Sequence, residues 1–190
     1  MREDVERTQS YRLLNHGPTV IVSAAHEGRR NAMAAAWSVP LEFDPPRIAV
    51  VLDKSTFTRK LVEASGEYAV SVPCRAFADA TYTLGTSSGA EIEDKFARFG
   101  LATFAGRHVA APLLEGCVAW LECRLVREPH AQQAYDIFVG EVLAASADPR
   151  VFSKGRWHFE DDALRTIHHL GGGHFVASGD ALQAHRLEAA

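Results

Sequence analysis

Ser55-Thr56-Phe57-Thr58, directly after Lys54, places three hydroxyls and a cation where a strand gives way to a helical period. The first turn of a helix carries N–H groups without intrahelical acceptors and a partial positive charge. Hydroxyl donors added there suit a terminal phosphate. Plain helix capping accounts for the same residues and, since such helix starts are common and no Gly-rich P-loop precedes them, is the reading that residue type alone favours. A second candidate is Asn31-Ala32-Met33-Ala34-Ala35-Ala36-Trp37-Ser38. Read at period 2, Asn31, Met33, Ala35, Trp37 and Val39 share one face, and small side chains occupy the other. Small side chains let a flat ring approach the backbone N–H groups, although taken alone the segment reads better as close packing against a neighbouring element. The third candidate is His168-His169 with Gly171-Gly172-Gly173-His174-Phe175. No carboxylate or cysteine stands near it at metal-ligand spacing. It reads as a glycine loop with polar side chains near a site, or as an ordinary exposed loop.

Other chemistry is poorly served. Cys74, Cys117 and Cys123 match no zinc spacing, and an odd number of cysteines fits a reduced, cytoplasmic protein. No G-x-S-x-G nucleophile motif is present. Cys123 falls on an apolar face, as a core residue would, and Trp120 and Trp157 read as packing residues.

The elements that must position these residues are mostly strands. Thr19 to Ala25 is a β-branched run followed by a turn-prone stretch from His26 to Arg30. Alanine and methionine favour helix over 31–39 by propensity, but the period-2 pattern favours one strand. Asp44-Pro45-Pro46 interrupts the ladder, and Ile48 to Leu52 is a short buried strand. Phe57, Leu61, Val62 and Ala64 have helical spacing, with Ser55 as the expected N-cap and Gly66 as the C-terminal glycine. Tyr68, Val70 and Val72 alternate as a strand. Helices are expected over Phe77 to Leu84, ended by Gly85, and over Ile92 to Phe99, ended by Gly100. Lys95 then flanks a buried stripe. Ala119 to Leu125 and Ile137 to Leu143 return to strands. Strands with short helices inserted suggest an antiparallel barrel.

The 190 residues suit one domain, with 47% hydrophobic and 23% charged residues as in ordinary soluble proteins. A net charge of -4 without a basic block argues against nucleic-acid binding. No apolar run approaches a membrane span, and the polar first ten residues lack a signal-peptide core. The Ala-rich segment 177–190 reads as a frayed or disordered C-terminal tail after a domain covering 1–176.

Taken in order, these segments resemble the flavin reductase-like domain family, which includes flavoredoxins. The resemblance runs from about Tyr11 to Phe175. It is carried by 31–37, Pro40-Leu41-Glu42-Phe43-Asp44-Pro45-Pro46, Ser55-Thr56-Phe57-Thr58, Gly66 to Pro73, and Lys95-Phe96. Further on it rests on Pro112 to Cys117, Glu122-Cys123, Gly140-Glu141-Val142 and Leu170-Gly171-Gly172. The resemblance implies a mainly β fold, a six-stranded antiparallel Greek-key split barrel with flanking short helices. It also implies a homodimer holding flavin mononucleotide (FMN) noncovalently near the subunit interface. Asn31, Ala32, Met33 and Ala34 would contact the isoalloxazine ring, with Trp37 close by. Ser55, Thr56 and Thr58 would bind the phosphate, Lys95 would approach the flavin as a positive group, and Phe175 would border the ring or its access route. Many relatives carry His where this chain has Tyr135, so no histidine role is carried over there.

The implied activity is a flavin reductase in which NADH or NADPH passes hydride to flavin N5, with the chemistry carried by FMN and no catalytic side chain. A monooxygenase or other redox partner would follow. The alternative is a flavoredoxin-like electron carrier with tightly bound FMN and no nicotinamide site. A related split barrel of the pyridoxal-phosphate-type oxidase class fits the alanine-rich and Asp-Pro-Pro segments less well.

Overall fold

The β-branched run forms β1, Val20–His26, and returns antiparallel as β2, Arg29–Ala35, with Val20 opposite Ala35 and His26 opposite Arg29. The connecting Glu27-Gly28 pair has φ of 46° and 76°. Left-handed conformations at both central positions match the strand twist of a tight hairpin, and Gly28 adopts its φ without a Cβ penalty. The chain bends at Ala36-Trp37 and continues as β3, Ser38–Phe43. A turn containing a cis Asp44-Pro45 peptide leads into β4, Pro46–Val51. The computed structural model describes residues 18–187. The polar start, the beginning of the family-like region at Tyr11 and the last three residues of the tail lie outside them.

Helix α1, Phe57–Ser65, ends at Gly66, whose N–H bonds Val62 O. Strand β5, Glu67–Val72, follows, and a 3-10 turn at Arg75–Phe77 runs into α2, Ala78–Thr86. After α3, Lys95–Arg98, the short strands β6, Thr103–Phe104, and β7, Leu113–Leu114, pair with each other. Then come β8, Ala119–Val126, α4, Pro129–Tyr135, and the long β9, Ile137–Ala147. Two hairpins finish the chain: β10, Phe152–Ser153, with β11, Arg156–Trp157, and β12, Ile167–Gly171, with β13, His174–Ala177.

The main sheet has the order β2-β1-β5-β8-β9-β4-β3, antiparallel throughout. Its two end strands, β2 and β3, are separated in sequence only by Ala36 and Trp37. Val51 N donates to Trp37 O at 3.0 Å across that bend. One bent strand therefore joins both ends of the sheet and curls it into a split barrel. Counted as one, β2–β3 makes six strands; counted by ladder, there are seven. The single strand expected over 31–39 is corrected in this way: to serve both ends of the barrel it must bend, and it bends among alanines.

Inside the barrel, Val20, Val22, Val50, Leu52, Tyr68 and Phe138 pack with Leu61 and Val62 of α1, which plugs one end. A second cluster on the outer face of β1 and β2 joins Ile21 and Ala32 to Leu84 of α2 and Phe96 of α3. Cys123 lies in the barrel core, where burial pushes its thiol up to about 12. Among the described residues all three cysteines are free and buried, and no helix is long and apolar enough to cross a membrane.

Three helix expectations change. The N-cap of α1 is Thr56 rather than Ser55, because Ser55 turns its hydroxyl back to Asp53. Gly85 lies inside α2, where a Cβ would come within 3.1 Å of Ala34 Cβ, so it is a contact glycine and not a stop. The 92–99 helix shortens to one turn, because the Asp94 carboxylate accepts from Ala97 N and starts α3 only at Lys95. Gly171-Gly172-Gly173 is the tip of the β12–β13 hairpin rather than a free loop. Residues 178–187 form neither helix nor strand.

Candidate functional site

The bend that closes the barrel also makes the floor of a cavity of about 650 Å³. Met33, Ala34, Ala35, Ala36 and Trp37 supply this floor. Tyr82, Gly85 and Thr86 of α2 form one side, and His169, Gly173 and Phe175 of the β12–β13 hairpin form another. Tyr135 and Asp136, at the end of α4, and Asp53, after β4, complete the wall. The hairpin meets α2 closely: a Cβ on Gly173 would lie 3.1 Å from the Tyr82 ring. His169 and Phe175 are cross-strand neighbours with ring centroids 5.4 Å apart.

Of the residues singled out from the sequence, Met33, Ala34, Trp37 and Phe175 line this cavity, as do Ala35, Ala36, Tyr135, His169, Gly172 and Gly173. Asn31, Ala32, Ser55, Thr56, Thr58 and Lys95 are not in its lining, and they fall into two groups. Ser55, Thr56 and Thr58 sit at the start of α1, joined to the cavity through Asp53. The Asp53 carboxylate accepts from Ser55 N at 2.8 Å and Ser55 Oγ at 2.6 Å, and Thr56 Oγ1 donates to Asp53 O at 2.8 Å. The Ser55 hydroxyl, followed by its N–H, holds the Asp53 carboxyl below its ordinary range. Thr58 is fully buried and accepts from Asn31 Nδ2 at 2.8 Å. The other Asn31 amide atom, Oδ1, is buried without a partner.

Ala32 and Lys95 lie behind the floor. Lys95 Nζ donates to Ala32 O at 2.8 Å, Leu84 O at 3.0 Å and Ser87 O at 2.7 Å. Burial pushes its pKa down to about 8. Three carbonyl acceptors nevertheless match the three donors of an ammonium, so the lysine is charged at neutral pH. It braces β2 against the end of α2, and so holds the backbone of the floor.

Sequence reasoning missed Tyr82 and Thr86, which the i,i+4 spacing along α2 places on one face. It also missed Asp136 and its partner Arg59. Arg59 is 7% exposed; it donates to Asp136 Oδ1 at 2.5 Å, to Gln132 O at 2.9 Å and to Glu63 Oε1 at 2.9 Å. This network fixes the left-handed residue Asp136, and with it the Tyr135 wall. Nothing local in the sequence marks a pair 77 residues apart. Tyr135 is exposed at the cavity and meets His130 edge-on at 5.6 Å.

Residues 11–166 match the family described as flavin reductase like domain. The chain belongs to that family. It is 49% identical over 183 residues to the uncharacterized protein YddH of Escherichia coli, covering 95% of this chain and 96% of that one. The flavin reductase-like fold is also seen in the FMN-binding domain of a flavin reductases-like enzyme from Shewanella baltica. That structure superposes with a TM-score of 0.86 at 44% identity over 95% of this chain and 96% of that one. Flavoredoxin of Desulfovibrio vulgaris superposes with a TM-score of 0.81 at 27% identity over 97% of each chain.

The flavin reductase-like site fits a flat cofactor with an anionic tail. Its volume lies in the range of cofactor pockets, about 300–1,000 Å³. The alanine floor leaves backbone accessible, and the orphaned Asn31 Oδ1 beside the first turn of α1 calls for a polar partner.

Proposed function

We propose that this chain binds FMN noncovalently and acts as an NAD(P)H-dependent flavin reductase. The observation that carries the reading is the alanine-floored cavity running to the start of α1 through Asp53. Flavin held here would supply the redox chemistry, as an acceptor of hydride from NADH or NADPH, and the residues around it would bind and orient it. Met33, Ala34, Trp37 and Phe175 border the ring, and Asn31 offers its free Oδ1 to a donor on the cofactor. Ala32 and Lys95 keep the floor strand in place. Ser55 and Thr56 receive the phosphate, with the α1 N-terminus favouring its charge, and the fully buried Thr58 holds Asn31 behind them.

Replacing Ser55 and Thr56 together by alanine weakens FMN binding about tenfold or more, since donors to a charged group are lost, while the fold survives. Fluorescence titration checks this, and unchanged affinity removes the phosphate assignment. The activity is tested by adding NADH or NADPH anaerobically to the FMN-loaded protein. Prompt bleaching of the flavin spectrum is expected, and it identifies the donor.

A second reading is an electron carrier without its own nicotinamide site. The superposition on a flavoredoxin favours it. A spectrum that persists with both nicotinamides but bleaches with a protein donor would select it. In either reading the chain works as a homodimer that passes electrons to a monooxygenase or another redox protein. The exposed apolar row Val39, Leu41 and Phe43 on edge strand β3, next to Trp37, supports the pairing.

A further inference from the structure

Arg29 opens β2 two residues before Asn31, and the two arginines at this point behave differently. Arg30 is neutralised: its Nε and Nη2 donate to Asp94 Oδ2 at 3.1 and 2.8 Å. Arg29 has no carboxylate partner among the described residues. Its Nη2 donates to Gly89 O at 3.0 Å, its guanidinium lies 4.8 Å from the Phe57 ring centroid, and its Nε is buried with no acceptor. Phe57 is the first residue of α1, so this uncompensated cation sits beside the positive end of a nine-residue helix. Gly89 draws the group together: a Cβ there would lie 2.5 Å from Asn31 Oδ1 and 2.7 Å from the Phe57 ring.

A half-buried guanidinium with an unused donor, set against a helix N-terminus, is unfavourable alone and favourable with an anion between them. The orphaned Asn31 Oδ1, on a side chain 2% exposed that bonds Thr58 in the first turn, marks the same place as a polar ligand site. The other nearby cation, Lys54, is directed elsewhere, with Nζ 3.9 Å from Asp136 Oδ1.

We propose that Arg29 is a phosphate-binding residue of the flavin site, clamping the FMN phosphate against the start of α1. It adds a cation to the hydroxyls of Ser55 and Thr56, and it makes the site select FMN over riboflavin. The proposal rests on the flavin reading above. The planar fork of arginine suits a phosphate dianion, and its charge needs no proton uptake.

The test is fluorescence titration of flavin-free protein with FMN and with riboflavin, for the wild type, Arg29→Gln and Arg29→Lys. The wild type binds FMN more tightly than riboflavin. Arg29→Gln loses about ten- to hundredfold in FMN affinity, the worth of a charge-assisted contact, and keeps its riboflavin affinity. Arg29→Lys recovers part of the FMN affinity, with a stronger dependence on salt. Retained riboflavin binding shows that each variant is folded. Arg29→Gln with an unchanged FMN-to-riboflavin ratio, whether both affinities hold or both fall equally, overturns the assignment. Wild-type protein binding neither flavin overturns the flavin reading itself and this proposal with it.

Discussion

Replacing Ala36 by leucine lowers FMN affinity about tenfold to hundredfold, the scale on which extra side-chain bulk in a filled site is felt. Ala36 is half-buried, lies at the bend between β2 and β3, and faces the cavity as part of its floor. Its φ is not in the left-handed region, so leucine fits the backbone there without strain. The added side chain enters the space in which a ring would lie. It disturbs no core cluster, since Ala36 belongs to none of the four. Stability should therefore change by about 0.5 kcal/mol or less. Flavin titration alongside thermal unfolding separates the two effects. A variant that binds FMN as well as wild type would move the ring away from this floor.

Arg59→Met costs about 3 kcal/mol of stability, because it leaves Asp136 and two carbonyls facing a side chain with no donor. Arg59 ties α1 to Leu52 O, Gln132 O and Asp136, and its guanidinium also lies 5.0 Å from the Phe138 ring centroid. For a domain of this size the loss corresponds to a fall in Tm of about 6–12 °C. Combining it with Asp136→Asn removes the stranded charge and recovers part of the loss, while asparagine tolerates the left-handed φ of 58° at that position. Equal stability of Arg59→Met and wild type would show that the network is decorative. The same variant should loosen the Tyr135 side of the cavity, since Arg59 holds the residue that follows it.

Features set by local pattern were legible in the sequence. The alternation in β8, the helical spacing of α1 with Gly66 at its end, and the small-residue run 31–36 each follow from a period or a cap. The antiparallel barrel followed from them. Closure was not legible, since the bend at Ala36-Trp37 exists only because the same strand must pair with β1 on one side and β4 on the other. Lys95 could be placed beside a buried stripe, but its three carbonyl partners come from β2 and from both sides of the end of α2. The cavity was half legible. Its floor is one continuous segment with a compositional signature, and the His169 to Phe175 wall was marked by its glycines, whereas Tyr82, Thr86 and Asp136 arrive from distant segments that share no pattern with either. Arg29 was invisible as a candidate because its distinguishing property, a missing counter-ion, appears only when its neighbours are known.

The measurement that tests the account most directly is the visible absorption spectrum of the purified protein, taken through a titration with FMN. The account predicts a shifted and structured flavin band that saturates at one FMN per chain, with a Kd of about 1 μM or tighter. A spectrum identical to free FMN at every ratio would contradict it.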